Sequence, residues 1–270
     1  MYSSTRYCVR RAKNGAPKEE RRLRDRKKER TREEILAVAE RFYSEKAKDE
    51  VLLEDIAEAA LVSRTTIYNY FKNKDDVFFA VGNKVIKELN EEIAATLPDG
   101  LSGKEQVLFL CAKTLKDGSD NPIVLKITRE TFDHIRKVNT WPEALIELII
   151  ERIGQSGLNK LTEDLSPLKD SEFEKHFEEP GFIEFFVQFL RNSQFWLKAI
   201  RKGKKDKTIK NDMEDAIMVQ YVTMLMNGLL SEMELRRTAS NQMGIKMGLK
   251  RELVTDNTLN LIGLFLDHNV

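Results

Sequence analysis

The residues from Ser63 to Lys74, SRTTIYNYFKNK, gather three aliphatic hydroxyls, two phenols, two amides and three cations into twelve positions without one carboxylate. Hydroxyls, phenols and Lys side chains hold phosphate oxygens, while Arg and Asn make bidentate hydrogen bonds to guanine and adenine edges. These residue types suit recognition of double-stranded DNA rather than bond making. In a helix that starts near Arg64, Ile67 and Phe71 lie one turn apart and form a buried face. Thr65, Tyr68, Asn69 and Lys72 then fall on the opposite side, with Arg64 and Tyr70 on the flanks. An ordinary helical hairpin with a polar surface has the same periodicity, so spacing alone leaves both readings open.

Positioning this segment requires helices before and after it. Thr31 to Glu34 spells T-x-x-E, a capping box, and Ile35, Ala39, Phe42 and Tyr43 follow at helical spacing, which predicts a first helix over residues 32–43. A second is expected over 53–60, with Ile56, Ala57 and Ala60 on one face, and a break of three residues leads to the helix that opens at Ser63. Asn73 can cap a fourth helix whose first turn holds Asp75 and Asp76 and whose stripe is Val77, Phe78, Val81, Val85, Leu89 and Ile93. The pattern beyond residue 100 predicts further helices over 102–116, 122–138, 142–153, 181–202, 208–237 and 255–268, with a mixed polar stretch over 154–179 and a turn at 203–207. The chain reads as all-α.

From Arg41 onward the order RFYSEKAKDEVLLEDIAEAALVSRTTIYNYFKNKDDVFFAV resembles the DNA-binding domain of the TetR family of transcriptional regulators. The resemblance rests on Phe42-Tyr43 ending a first helix, Ile56-Ala57 in a second, Val62-Ser63 in the turn, Tyr68 to Phe71 in a third, and Lys74-Asp75-Asp76 after it, over roughly residues 29–89. It implies a three-helix helix-turn-helix domain at 29–89, with the motif at about 52–71, followed by a larger helical effector-binding and dimerisation domain at 90–270; the composition of residues 1–28 adds a basic arm, expected to be flexible. Carried over by position, the DNA contacts fall on Ser63, Arg64, Thr65, Tyr68, Asn69, Tyr70 and Lys74, to which the residue pattern adds Lys72. Arg64, Thr65 and Asn69 are the expected base readers; Ser63, Tyr68, Tyr70 and Lys74 are expected on phosphates. The sequence departs from the family pattern at Ala47 and Leu61, where Gly is usual, and at Val51 and Leu52, where paired Thr is usual. Leu52 can neither cap the second helix nor offer a hydroxyl to a phosphate, and Leu61 must avoid positive φ or bear its cost.

The formal net charge of +1 conceals an asymmetry: residues 1–30 carry twelve Lys/Arg against four Asp/Glu, whereas residues 31–89 carry nine against twelve. The domain that should meet DNA is thus acidic, and the basic run Lys18 to Arg30 is the obvious source of long-range attraction. It can extend the first helix or stay disordered until it meets DNA, and a solvated tail without contacts accounts for the same composition.

The resemblance also implies a homodimer on a palindromic operator, formed through the last two helices. Ile217, Tyr221, Met224, Leu225 and Gly228, and then Leu259, Ile262 and Leu266, recur at helical intervals, although a monomer could bury both stripes internally. For an effector pocket the candidates are Phe132, Trp141, Phe185, Phe189 and Met224, with simple core packing as the alternative for each; a cavity so lined suits a large apolar small molecule. The reading is a homodimeric repressor released by a small-molecule effector, or else a DNA-binding relative without one that acts architecturally or through a protein partner. No P-loop, GxGxxG, nucleophile elbow or His-carboxylate constellation supports an enzyme, and no cofactor is expected. Cys8, Cys111 and three scattered His offer no metal-ligand spacing. Without a membrane-length apolar run or a secretory signal, the expected location is the cytoplasm.

Overall fold

A computed structural model describes residues 18–136, 180–243 and 251–268. Among the described residues there are helices and turns but no strand, as the periodicity predicts. The helices are α1 (Lys18–Glu45), α2 (Leu53–Ala59), α3 (Arg64–Tyr70), α4 (Lys74–Thr96), α5 (Gly103–Asp120), α6 (Pro122–Arg136), α7 (Pro180–Lys205), α8 (Asp215–Met243) and α9 (Arg251–Asp267). None is long and apolar enough to cross a membrane. The helix expected at 142–153, the polar stretch at 154–179 and Trp141 lie outside the described residues.

The largest departure from expectation is at the start. Helix α1 begins at Lys18, not near Arg32, so residues 18–28, placed in a flexible arm, instead extend the first helix, the other course open to the basic run. Thr31 lies inside the helix rather than at its cap. The physical reason is composition: KEERRLRDRKKER has neither Gly nor Pro, its Lys, Glu and Arg are good helix formers, and acidic Glu19 and Glu20 occupy the first turn. Ion pairs at i,i+4, Glu20 with Arg24 and Arg30 with Glu34, run along it.

Two clusters of buried side chains organise the rest. The first joins Ile35, Ala39 and Tyr43 of α1, Ile56 and Ala57 of α2, Ile67 and Phe71, the first half of α4, and Phe182 and Phe185 of α7. The second gathers Leu110 and Leu115 of α5, Trp196 and Ile200 of α7, Met218, Val222 and Met226 of α8, and Ile262 and Leu266 of α9. Helix α4 passes from one cluster to the other. The expected stripe of α4 is buried, with Leu89 half-buried, but so are Phe79, Ala80, Gly82 and Ile86, because α7 packs on its other side. Asn90 is buried in that contact and is satisfied there: its Nδ2 donates to the Gln188 carbonyl (3.0 Å) and its Oδ1 accepts from Asn192 Nδ2 (2.9 Å).

In the second cluster the turn expected at 203–207 is displaced and lengthened to 206–214, since α7 continues through Lys205 and α8 starts at Asp215 instead of near Thr208. The intervening segment is held by hydrogen bonds that oppose helix: Asp206 accepts from the Gly103 and Thr208 backbone N–H groups, and buried Asn211 donates to the carbonyls of Phe265 and His268. Asp206 is held below the usual carboxylate range, first by the Thr208 hydroxyl and then by the Gly103 N–H. Burial pushes the Cys111 thiol up to about 12, so it packs as a neutral apolar group.

Candidate nucleic-acid interface

The interface is built on the connection between α2 and α3. At the end of α2 the Val62 N–H donates to the Ala57 carbonyl (2.9 Å) and the Leu61 N–H to the Glu58 carbonyl (3.0 Å). This is the Schellman arrangement, which requires a left-handed residue at the position of Leu61. Leu61 adopts it, with φ 55°, while its side chain remains 94% exposed. The cost of the missing Gly is therefore borne, not avoided. Ala47, by contrast, has φ −65°, so replacing Gly there brings no strain. Leu52 stands at the N-cap of α2 without a side-chain cap and is exposed, as its residue type dictates.

Ser63 caps α3: its Oγ accepts the Thr66 N–H at 3.0 Å and lies 2.8 Å from Thr66 Oγ1. Ile67 and Phe71 are buried, anchoring the helix by the face the spacing predicts. The side chains of Thr65, Tyr68, Asn69 and Lys72 consequently reach solvent. Among the described residues, the Thr65 and Asn69 side chains have no hydrogen-bond partner, which leaves their full capacity for a ligand. Arg64 is not free in the same way. It pairs with Glu54 of α2 at 2.8 Å and lies 5.9 Å from the Tyr68 ring centroid. Lys74 pairs with Asp49 at 3.2 Å. Exposed pairs of this kind are worth about 0–1 kcal/mol, so a phosphate or a guanine edge can displace the carboxylates. Tyr70 is half-buried against the first cluster, beside Phe71.

Three features of the site are not legible from the residue pattern. Asp76, expected in the first turn of α4 for its charge against the helix dipole, is buried, and its carboxylate accepts the Lys72 N–H (3.0 Å) and the Gly181 N–H (2.8 Å). It ties the end of the α3 segment to the start of α7. Lys126 of α6 donates to the carbonyls of Tyr43, Ser44 and Lys46, closing the C-terminal end of α1. Lys48 bridges Asp75 and Glu130 (3.0 and 3.3 Å). Burial of Lys48 works against its charge, but these two carboxylates outweigh it and raise its pKa.

The expected pocket residues separate. Phe185 is fully buried in the aromatic cluster, 5.9 Å from the Phe79 ring and 6.3 Å from that of Phe189, which is half-buried. Met224 is a correction: it is 58% exposed on α8, because the opposite face, Met218, Val222 and Met226, is the one turned to the core. Phe132 belongs to α6, and Trp141 lies outside the described residues.

Residues 35–81 match the family model described as bacterial regulatory proteins, tetR family. An HTH-type transcriptional regulator of Mycobacterium tuberculosis is 30% identical over 100 residues, covering 37% of this chain and 50% of that protein. The HTH-type transcriptional regulator AcrR of Shigella flexneri is 39% identical over 83 residues, covering 29% of this chain and 39% of that one. The chain thus spans half the length, or less, of these curated relatives. The fold is similar to that of the transcriptional regulator FadR from Bacillus subtilis, solved in complex with stearoyl-CoA: TM-score 0.54 and 13% identity, over 85% of this chain and 96% of that one. A second similar fold is a transcriptional regulator from Saccharomonospora viridis in complex with choline, with TM-score 0.52 and 16% identity over 87% and 96%.

Proposed function

The chain belongs to the TetR family through its DNA-binding domain, and from that premise we propose that it is a homodimeric repressor, released from a palindromic operator by a small-molecule effector. The observation that carries the reading is α3 itself, anchored by buried Ile67 and Phe71 so that Thr65, Tyr68, Asn69 and Lys72 face outward. In this reading Arg64, Thr65 and Asn69 read base edges in the major groove, and Ser63, Tyr68, Tyr70, Lys72 and Lys74 hold the flanking phosphates. The links from Asp76 to Gly181 and from Lys48 to Glu130 supply the path by which the C-terminal helices bias the separation of the two recognition helices. A large apolar effector suits the aromatic residues of α7, and the stearoyl-CoA bound by the FadR of similar fold supports that class. One observation favours a second reading, a DNA-binding protein without an effector: Phe182 and Phe185 are fully buried between α7 and α4. Release of bound DNA by a long-chain acyl compound separates the two.

The decisive experiment recovers bound DNA genome-wide and then titrates the recovered site and a scrambled one with the Asn69→Ala variant. Loss of a bidentate hydrogen-bond pair to a base is worth about 1–3 kcal/mol. The dimer loses one such pair per half-site, so binding to the recovered site should weaken by at least about 30-fold, with the scrambled site unchanged. Equal loss on both sequences, or no enriched sites at all, defeats the assignment.

A further inference from the structure

Among the described residues, the first three turns of α1 contribute nothing to the two buried clusters. Every described side chain from Glu19 to Arg30 is exposed, and the core begins only at Ile35. At 1.5 Å per residue, residues 18–30 make a bare rod of about 20 Å. A free helix of that length is marginal in water; among the described residues it is held by continuity with the buried half of α1 and by i,i+4 pairs.

Its charge is what needs a partner. Residues 18–30 hold eight Lys/Arg and four Asp/Glu. Arg24 and Arg30 are engaged by Glu20 and Glu34, whereas Arg22, Arg26, Lys27 and Lys28 are in no ion pair among the described residues. The rod also leaves the body at an informative place. The guanidinium of Arg32 lies 5.6 Å over the ring of Phe71, the residue that closes the C-terminal end of α3. The basic helix therefore emerges beside the residue that closes the recognition helix, and beside the start of α7, whose Glu184 lies 3.7 Å from Arg32, from a domain whose residues 31–89 are net acidic.

We infer that residues 18–30 of α1 form a second DNA-contact surface, a preformed basic helix that lies along backbone phosphates next to the site read by α3. The inference rests on the DNA-binding reading above. Arg22, Arg26, Lys27 and Lys28 carry the contact, and because phosphates are the same in every sequence, it adds affinity without specificity. Being helical before DNA arrives, the segment avoids most of the ordering cost that a disordered arm meets on binding.

The test is the salt dependence of binding by the full chain, on recovered sites and on a random-sequence duplex. Replacing Arg22, Arg26, Lys27 and Lys28 together by Gln keeps helix propensity and removes four cations per protomer. Each phosphate left without its cation lowers the slope of log K against log salt by about 0.9, so if about half of the cations removed from a dimer had been seated on phosphates, the slope should fall by roughly 3–4, equally on both DNAs. A control with Lys198, Lys205, Lys207 and Lys210 replaced by Gln removes the same charge from exposed positions in the second half of the chain and should leave the slope unchanged. An unchanged slope for the α1 variant, or an equal fall in the control, overturns the inference while the DNA reading stands. Absence of DNA binding by the unaltered chain overturns both. Circular dichroism checks that the variant is folded; if it is not, Lys27→Glu with Lys28→Glu gives the same readout with two substitutions.

Discussion

Leu61 shows how a single residue departs from the best local solution. The turn between α2 and α3 is a Schellman motif whose two hydrogen bonds are both formed, and it places Leu61 at φ 55°. A left-handed conformation costs an L-residue roughly 1–2 kcal/mol, and a side chain 94% exposed recovers almost none of that by burial. Leu61→Gly should therefore stabilise the protein by about 0.5–1 kcal/mol, the greater chain entropy of Gly in the unfolded state offsetting part of the relief. Thermal unfolding should rise by roughly 2 °C, and a fall in the midpoint contradicts the account. At this scale the sequence is informative where one residue decides the matter alone: Leu61 has to be strained or displaced, Leu52 cannot cap, and Ile67 with Phe71 has to anchor α3. It is uninformative where the partner is distant. Asp76 reads as a dipole-favoured charge from its neighbours, and its burial follows only from Gly181, 105 residues away.

Helix α7 shows the same limit for an element. Its aromatic spacing predicts a buried face, and Phe182 and Phe185 are buried, but nothing in the periodicity says that α4 is enclosed by it as well. The start of α7 is where the two meet most closely. A Cβ on Gly181 would sit 2.6 Å from the Asp76 carbonyl oxygen and 3.0 Å from its Oδ1. Gly181→Ala must push α7 away from α4 and lengthen the Asp76 to Gly181 hydrogen bond, at about 1–3 kcal/mol for an overpacked contact. Because the same carboxylate accepts the Lys72 N–H, the exchange protection of the Lys72 amide should fall together with global stability. Protection retained at Lys72 while the midpoint drops means that the start of α7 supports the core without acting on the α3 segment. Helix α1 makes the complementary point. Its buried half is legible from Ile35, Ala39 and Tyr43, but its true start is not, because the T-x-x-E signal at Thr31 is one that a continuous run of helix formers can override.

For the whole molecule, the decisive feature is what α8 and α9 leave uncovered. Met218, Val222, Met226 and Leu230 turn one face of α8 to the second cluster, while Tyr221, Met224, Leu225 and Leu235 are all at least half exposed on another. On α9 the stripe expected at an interface, Ile262 and Leu266, is buried inside the chain, and the outward residues are Leu261 and Leu264. A Cβ added at Gly228 would meet no heavy atom within 4 Å, so a partner backbone can approach there. Exposed apolar stripes on two neighbouring helices in the chain suit an isologous four-helix contact, in which each residue occurs twice about the two-fold axis. Met224→Glu with Leu225→Glu then places four carboxylates in one interface. These side chains are exposed on the described chain, so its own fold should be undisturbed, and, if the proposed dimer forms through them, light scattering should report two chains for the unaltered protein and one for the variant. DNA binding gives a second, independent reading of the same change. A monomer still presents α3 and the basic turns of α1, so its affinity for an isolated half-site should be nearly unchanged, while the gain from joining two half-sites about 34 Å apart disappears. A mass that stays dimeric with both carboxylates in place moves the interface elsewhere. A monomeric mass with undiminished preference for the palindrome would mean that the two copies meet on DNA and not through α8 and α9.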